Sequence, residues 1–354
     1  MKIALDATPL SANIGGIRRY ADELSRALAR EYPADEFWLE SDQRFDCIAA
    51  GLPNLHCGRA PVNVLERRWW TVGLPRELAR IGADVFHGTD FGVPYRGATP
   101  AVMTVHDLSP WREETSDEVS ARVRRRAAAL LRLDKPRLVI TPTAVVRGGL
   151  IEAFRLEPDR VVVTPLAASE TFQRVDGPHP ERPYFLHVGA IQKRKNLGVI
   201  VEAWRALRES QDVDLILAGR VPRKGAEALT SEPGLRIVQN EDDAALSRLY
   251  SGAVACLMPS RYEGFGFPVL EAMQCGCPVV ASRDPALREV SGGAAEHLDA
   301  TDTDAWRAAM QTLLSDGDLR AAMSERGMAR ARDFSWTSTA RLTREAYEHA
   351  LRLS

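Results

Sequence analysis

The chain has 354 residues, too many for one ordinary hydrophobic core, and two domains of roughly 150–180 residues each are expected. Its 46 Lys and Arg oppose 48 Asp and Glu, and the halves are balanced as well: residues 1–165 carry 23 basic against 22 acidic residues, the remainder 23 against 26. Neither half has the basic excess of a nucleic-acid binder. No uncharged apolar run approaches the roughly 18 residues of a membrane span. Asp6 interrupts the apolar start before a signal-peptide core can form. Any membrane contact is therefore expected to be peripheral. Five cysteines are present: Cys47, Cys57, Cys256, Cys275 and Cys277. The number is odd, and the single glycine between Cys275 and Cys277 is shorter than the usual gap between zinc thiolates. All five read as reduced thiols of a cytosolic protein, with Cys256 in the core.

Along the chain, short apolar runs alternate with helical patterns, the signature of parallel sheets with crossover helices. Ile3–Leu5 reads as a strand. Gly15 and Gly16 end a loop, after which Ile17, Tyr20, Leu24 and Leu28 give residues 17–30 a helical stripe. Asp84–His87 and Ala101–Val105 read as buried strands, and Arg122–Leu133 as a basic helix. Leu138–Thr141, Val145–Phe154 and Val161–Thr164 follow as strand, helix, strand. The alternation lapses over the polar stretch 167–183, which holds Pro178, Pro180 and Pro183 and reads as a linker. It resumes with strands at Phe185–Val188, Val213–Ala218, Leu235–Val238, Val254–Met258 and Pro278–Ala281. Helices are expected at Leu197–Arg208, Asp242–Tyr250, Ala305–Leu314, Leu319–Ala331 and Trp336–Leu351. The fold class is α/β, with two doubly wound Rossmann-like domains facing across a cleft. In such sheets ligands bind beyond the carboxyl ends of the strands.

Tyr262-Glu-Gly-Phe-Gly-Phe-Pro-Val-Leu-Glu271 carries the most chemistry. Pro268 suits the first position of a helix. Glu271 then falls in the first turn, near the positive end of the helix dipole. The amides of Gly264, Phe265 and Gly266 can approach a ligand closely. Two carboxylates, loop amides and a helix N-terminus form equipment for a polyhydroxylated anion such as a sugar nucleotide. Arg194 and Lys195, between a strand and a helix starting near Asn196, suit a diphosphate.

Four landmarks together resemble the retaining glycosyltransferases of the GT4 ("group 1") family, which have the GT-B architecture. They are Asp6-Ala-Thr-Pro-Leu10 leading into Gly15-Gly-Ile-Arg-Arg-Tyr20; Thr104-Val-His-Asp-Leu108; His187-Val-Gly-Ala-Ile-Gln-Lys-Arg-Lys-Asn-Leu197; and Pro259–Met273 followed by Gly276-Cys-Pro-Val-Val-Ala-Ser282. The last contains the family's E-x7-E signature as Glu263 and Glu271. The resemblance implies an acceptor-side domain over 1–166, a linker over 167–183, a nucleotide-sugar domain over 184–335 and a final helix, 336–354, crossing back to the first domain.

The resemblance also implies roles. His106, Arg194, Lys195 and Glu263 would serve catalysis, with Glu263 facing the donor sugar. Donor contacts fall on Gly15, Gly16, Gly189, Asn196, Val238, Gly264, Phe265, Gly266, Phe267, Val269, Leu270 and Glu271, the last on the ribose diol. Asp107, Arg18 and Trp111 are candidates on the acceptor side. Many members place an arginine directly after the strand-ending glycine. Here Ala190 follows Gly189, and Arg194 would take over that phosphate contact. The triplets Asp212-Val-Asp214 and Asp302-Thr-Asp304 stand before a strand and at a helix start, where aspartate has structural uses, so no metal or other cofactor is expected. Arg67-Arg-Trp-Trp70 and the 122–137 stretch are basic–aromatic. Their plain reading is solvated faces with tryptophans packed inward. The functional one is contact with an anionic bilayer near a lipid-linked acceptor.

The implied reaction moves a sugar from a nucleotide diphosphate sugar to a glycan or lipid-linked saccharide hydroxyl, with retention and without a protein nucleophile. The Asp6–Leu10 start with Arg194-Lys-Asn-Leu197 is most similar to bacterial mannosyltransferases of O-antigen and exopolysaccharide assembly. GDP-mannose is thus the first choice of donor, with UDP-sugars and deoxysugar donors open and the Val238–Asp242 loop reading the base. A nucleotide-sugar epimerase, a sugar phosphorylase and a non-catalytic sugar-nucleotide-binding module are the alternatives.

Overall fold

The computed structural model describes residues 1–12, 15–112, 118–177, 181–221, 232–239 and 241–353. They divide into two compact units, Met1–Leu166 with Ser335–Ser354, and Ala167–Phe334.

The first unit is built on seven strands: β1 (Lys2–Asp6), β2 (Glu36–Glu40), β3 (Leu55–Cys57), β4 (Val85–Gly88), β5 (Ala101–Thr104), β6 (Leu138–Thr141) and β7 (Val161–Val163). Their spatial order is β3-β2-β1-β4-β5-β6-β7, and every pair is parallel. The central strands are apolar on both faces because helices cover both. Ile3, Ala4 and Leu5 are fully buried, as are Val102 and Met103. Helix Gly16–Glu31 buries Tyr20, Leu24 and Leu28. It packs against helix Trp336–Arg352, whose buried face holds Ala340, Thr343, Ala346, Tyr347 and Ala350. The alanines on this face let the two helices approach closely. Tyr347 Oη lies 2.7 Å from His87 Nδ1, and His87 Nε2 lies 2.7 Å from Thr104 Oγ1. The final helix is thereby tied to the carboxyl ends of β4 and β5.

β2, β3 and helix Leu74–Ile81 are additions to the elements expected from the sequence. β2 begins and ends in glutamate and β3 has three residues, so neither shows a buried-strand run. Helix Leu74–Ile81 carries Pro75 at its start and Gly82 at its left-handed C-cap, φ 67°, a legible pair of signals. The cysteine expectation needs correction. Cys47 and Cys57 form a disulfide across a separation of ten residues, because parallel pairing of β2 with β3 sets Cys57 opposite Leu39 and the preceding loop returns Cys47 beside it. Cys256, Cys275 and Cys277 are free and buried.

The second unit has six strands: β8 (Tyr184–Val188), β9 (Asp214–Ala218), β10 (Leu235–Val238), β11 (Ala255–Met258), β12 (Val279–Ser282) and β13 (Glu296–Leu298). The order is β10-β9-β8-β11-β12-β13, again all parallel. Helices Leu197–Arg208 and Thr303–Ser315 pack together on one face, burying Trp204 and Trp306 with Phe185 and Leu215. Residues 167–177 belong to this unit. Phe172 is fully buried, and Gln274 Nε2 donates to the carbonyls of Ser169 and Phe172 at 2.9 and 2.6 Å. Pro178 and Pro180 lie outside the described residues. No described helix is long and apolar enough to cross a membrane.

Candidate active site

Strand order reverses between β8 and β11. At such a switch point the loops leaving the two strands diverge and open a crevice beyond their carboxyl ends. The loop after β8 brings Gly189 (φ 147°), the single turn Lys193–Lys195 and Asn196 in the left-handed conformation (φ 55°), from which helix Leu197–Arg208 starts. The loop after β11 brings Ser260–Glu263. The two loops are joined by a bond from Arg261 N to Arg194 O, 2.8 Å.

Glu263 is buried here between two cations. Lys195 Nζ lies 2.5 Å from its Oε1 and Arg194 Nη1 lies 3.0 Å from its Oε2. Arg194 also reaches Tyr262 O at 3.3 Å. Burial alone would raise the Glu263 carboxyl, but Lys195 and Arg194 outweigh it and hold the group at about 2. Glu263 and its two cations together carry a net positive charge beside the start of a helix, with Asp284 as the next carboxylate, and Arg194 and Lys195 are the groups that could take an anion. Glu263 N is within 3.4 Å of Asp284 Oδ2, while Asp284 Oδ1 caps helix Pro285–Ser291 through the amides of Ala286 and Leu287 at 3.0 and 3.1 Å. Asp284 is a site residue beyond those expected from the sequence, and the Asp-Pro pair, a helix-start signal, is what marks it.

Glu271 sits in helix Phe267–Gln274, 3% exposed. The helix starts at Phe267, with Gly266 (φ 94°) as its N-cap and Pro268 in second place, so Glu271 lies one turn in rather than in the first turn. Gly266 is required on two counts: its left-handed backbone, and Leu287, whose Cδ2 would lie 2.5 Å from an added Cβ. Buried Tyr250 donates its hydroxyl to Glu271 Oε2 at 2.9 Å, a partner without a sequence signal. Phe265 stacks edge-on with Phe267 and Phe334, at 5.5 and 6.1 Å. Val269 and Leu270 are core residues, and Gly264 is buried. Val238 ends β10, half-buried. The Asn196 side chain is engaged by the protein: Nδ2 donates to Pro259 O (3.2 Å) and Ala300 O (2.6 Å), and Oδ1 accepts from Arg261 Nε at 3.2 Å. These bonds tie the loop after β8 to the loop after β11 and to Ala300.

The catalytic candidate His106, the donor candidates Gly15 and Gly16 and the acceptor-side candidates Arg18, Asp107 and Trp111 lie in the first unit, at the carboxyl edge of its sheet. Gly15 (φ 137°) precedes helix Gly16–Glu31, with Arg18 half-buried in its first turn. His106 donates from Nε2 to Thr89 O at 2.7 Å and stands edge-on to Tyr20 at 4.8 Å. Burial lowers its pKa. Asp107 Oδ1 accepts from Ser109 N and Oγ at 2.8 and 2.6 Å, closing a turn. Trp111 packs against Phe91 and Phe154. Burial also pushes Asp6 and Asp90 up to about 6. Trp69 is buried, and Trp70 lies beneath Arg126 at 4.7 Å. The exposed apolar residues of this stretch are Val62, Val64 and Leu65, 73, 77 and 54% exposed.

Both D-x-D triplets are occupied structurally. Arg182 bridges Asp212 and Asp214, and Arg236 reaches Asp214 as well. Asp302 caps helix Thr303–Ser315 through Ala305 N at 3.0 Å.

Two parallel Rossmann-like sheets, with a charged cluster at the switch point of the second, are the layout of the GT-B fold. Comparison with known proteins agrees. Residues 169–330 match the glycosyl transferases group 1 family and residues 14–171 match Glycosyltransferase Family 4. The chain is 31% identical to the O-antigen chain mannosyltransferase B of Escherichia coli, over 98% of this chain and all of that one. It is 30% identical to the MMP alpha-(1->4)-mannosyltransferase of Mycolicibacterium hassiacum, over 80% of this chain and 77% of that one. Among solved structures, sucrose-phosphate synthase from Thermosynechococcus elongatus superposes with a TM-score of 0.77 at 19% identity, covering both chains fully. WaaG, a glycosyltransferase involved in lipopolysaccharide biosynthesis, superposes at 0.71 and 16% identity over 97% of this chain and 98% of that one. The chain belongs to the group 1, family 4 glycosyltransferases.

Proposed function

We propose that this glycosyltransferase moves mannose from GDP-mannose to a hydroxyl of a glycan or lipid-linked saccharide, with retention and without a metal. One observation carries the reading: Glu263 buried between Arg194 and Lys195 at the switch point. An arriving diphosphate would take both cations, and Glu263 would then meet the sugar. The same cations would stabilise charge on the departing diphosphate, the task a metal performs elsewhere. Glu271, held by Tyr250, would take the ribose diol. The departing phosphate oxygen would accept the acceptor proton on the front face, so no protein nucleophile enters. The mannosyltransferase names of the two relatives support the choice of sugar.

A thermal-shift panel tests the donor. Ligand that binds only the folded state stabilises by about 2.7 kcal/mol at a hundred times its Kd. GDP is expected to raise Tm, with UDP doing so far less and EDTA leaving the GDP shift intact. The reverse nucleotide order, or a shift abolished by chelation, rejects the donor or the metal-free reading respectively. Turnover of GDP-mannose with its anomeric configuration followed by NMR tests retention. Donor incubated without acceptor separates the epimerase alternative.

We also propose peripheral contact with an anionic bilayer, through the turn 62–68 rather than the tryptophans. Asn63 and Glu66 staple this turn reciprocally: Asn63 Oδ1 accepts from Glu66 N at 3.0 Å and Asn63 Nδ2 donates to Glu66 Oε1 at 3.0 Å, in the manner of a capping box. Val62, Val64 and Leu65 are left pointing outward. Residues 59–80 hold five arginines against two glutamates, and Arg67 and Arg68 make no ion pair among the described residues. Exposed aliphatics flanked by cations suit an anionic interface. The chain is expected to co-sediment with phosphatidylglycerol-containing vesicles and not with phosphatidylcholine alone. Val64→Asp/Leu65→Asp should weaken this about tenfold. Unchanged sedimentation of that variant rejects the surface.

A further inference from the structure

His187 contacts neither the diphosphate nor the sugar in the proposed donor arrangement. It lies on β8, two residues before Gly189, and is fully buried. Its Nδ1 is 2.8 Å from Leu257 O. A carbonyl only accepts, so Nδ1 carries the proton and Nε2 presents a lone pair. That Nε2 is buried without a hydrogen-bond partner among the described residues. Native interiors leave few such atoms, and each calls for an explanation.

Its surroundings supply one. A Cβ built on Gly189 would stand 3.4 Å from His187 Nε2, 3.5 Å from Lys195 Cε and 3.6 Å from Lys195 Nζ. The glycine's missing side chain therefore opens a gap lined by the imidazole lone pair on one side and the ammonium on the other. The ammonium has three protons, and one is directed at Glu263 Oε1, 2.5 Å away. A lone pair repels phosphate and carboxylate oxygens, so Nε2 needs a donor, and the donor facing this gap is Lys195.

We infer that His187 is a positioning residue for Lys195: its neutral Nε2 accepts from the ammonium when an anion draws that ammonium away from Glu263. An uncharged acceptor directs the lysine without cancelling its charge, which a second carboxylate would do. Burial keeps His187 unprotonated, with a pKa of about 4. The inference rests on the assignment of Lys195 to the donor diphosphate.

The test uses the full chain, with GDP and UDP titrated in parallel by calorimetry. His187→Asn places an amide donor toward Leu257 O and removes the acceptor at Nε2. His187→Gln extends an amide to the Nε2 position. The Asn variant should bind the preferred nucleotide about tenfold more weakly, the scale of one charge-assisted hydrogen bond. The Gln variant should recover most of the affinity. In a Lys195→Ala background the Asn substitution should have no further effect. An equal loss in that background overturns the positioning role while leaving the donor reading intact. Unchanged affinity in the Asn variant does the same. Lys195→Ala with undiminished nucleotide affinity overturns both. If the Asn variant does not fold, the ¹⁵N shift of His187 Nε2 in the wild-type chain decides: a hydrogen-bonded shift on nucleotide addition supports the inference, and an unmoved one rejects it.

Discussion

Lys195→Ala is expected to lower kcat by about 10²–10³, the scale seen when one preorganised donor to a developing negative charge is removed. The same substitution should cost about 3 kcal/mol of stability, because it leaves the buried Glu263 with one cation instead of two. For a unit of this size that corresponds to a fall in Tm of about 6–12 °C. The pH dependence supplies an internal control. Glu263 is held at about 2 against an ordinary value of 4.5. A depressed carboxyl contributes its stability fully above the unfolded value and loses it as pH falls toward the folded one. The wild-type advantage over Lys195→Ala should therefore be widest above about pH 5 and shrink toward pH 2. Thermal melts of both proteins across that range check this. A gap independent of pH would mean that Lys195 contributes packing and not charge. Lys195→Met, which preserves much of the volume, should lose activity as Ala does.

Gly219→Ala should be more damaging to folding than Lys195→Ala. Gly219 follows β9 with φ 154°, and an added Cβ would stand 2.0 Å from Gly189 O and 2.6 Å from its carbonyl carbon. Both obstacles are backbone, so no rotamer change relieves them. Three bonds hold the two loops in place: Gly189 N to Ala218 O at 2.8 Å, Ile191 N to Arg220 O at 2.9 Å and Gly219 N to Val238 O at 2.9 Å. Forcing them apart combines backbone strain of about 1–3 kcal/mol with overpacking of about 1–3 kcal/mol. A loss near 4 kcal/mol and of nucleotide binding is expected, since Gly189 borders Lys195. Gly198→Ala is the control. It lies exposed in helix Leu197–Arg208 with nothing within 4 Å of an added Cβ, and its effect should stay within about 1 kcal/mol. Equal melting of the two variants would reject the close approach of the loops. A single glycine after a strand is common in sequence, and only the neighbouring backbone makes Gly219 irreplaceable.

Much of the pocket was legible because its pieces are local. The alternation of apolar runs and helical stripes placed β1, β4–β7 and β8–β12, and helix Leu197–Arg208 has the bounds its pattern implied. The spacing of Glu263 and Glu271 across two glycines, with Arg194 and Lys195 before a helix, marked an anion site from residue chemistry alone. Periodicity reports burial along a single element, and these features lie within single elements or the loops joining them.

The remainder lies in contacts between residues far apart in the chain, which periodicity does not encode. Lys195 meets Glu263 across 68 positions, and Tyr250 reaches Glu271 from another helix. Cys57 is aligned by the pairing of the edge strand β3 with β2, two strands whose sequences lack strand signals. Asn196 looked available to a ligand, yet three protein atoms occupy its side chain. Trp69 is buried and Trp70 half-buried, as the plain reading of that stretch has it, but the exposed apolar residues are Val62, Val64 and Leu65, which no pattern singled out. The amino-acid order determined the elements and the kinds of side chain available to the pocket. Only the packing of the sheets determined which buried charge found a partner, because desolvation and pairing depend on neighbours that the chain brings together when it folds.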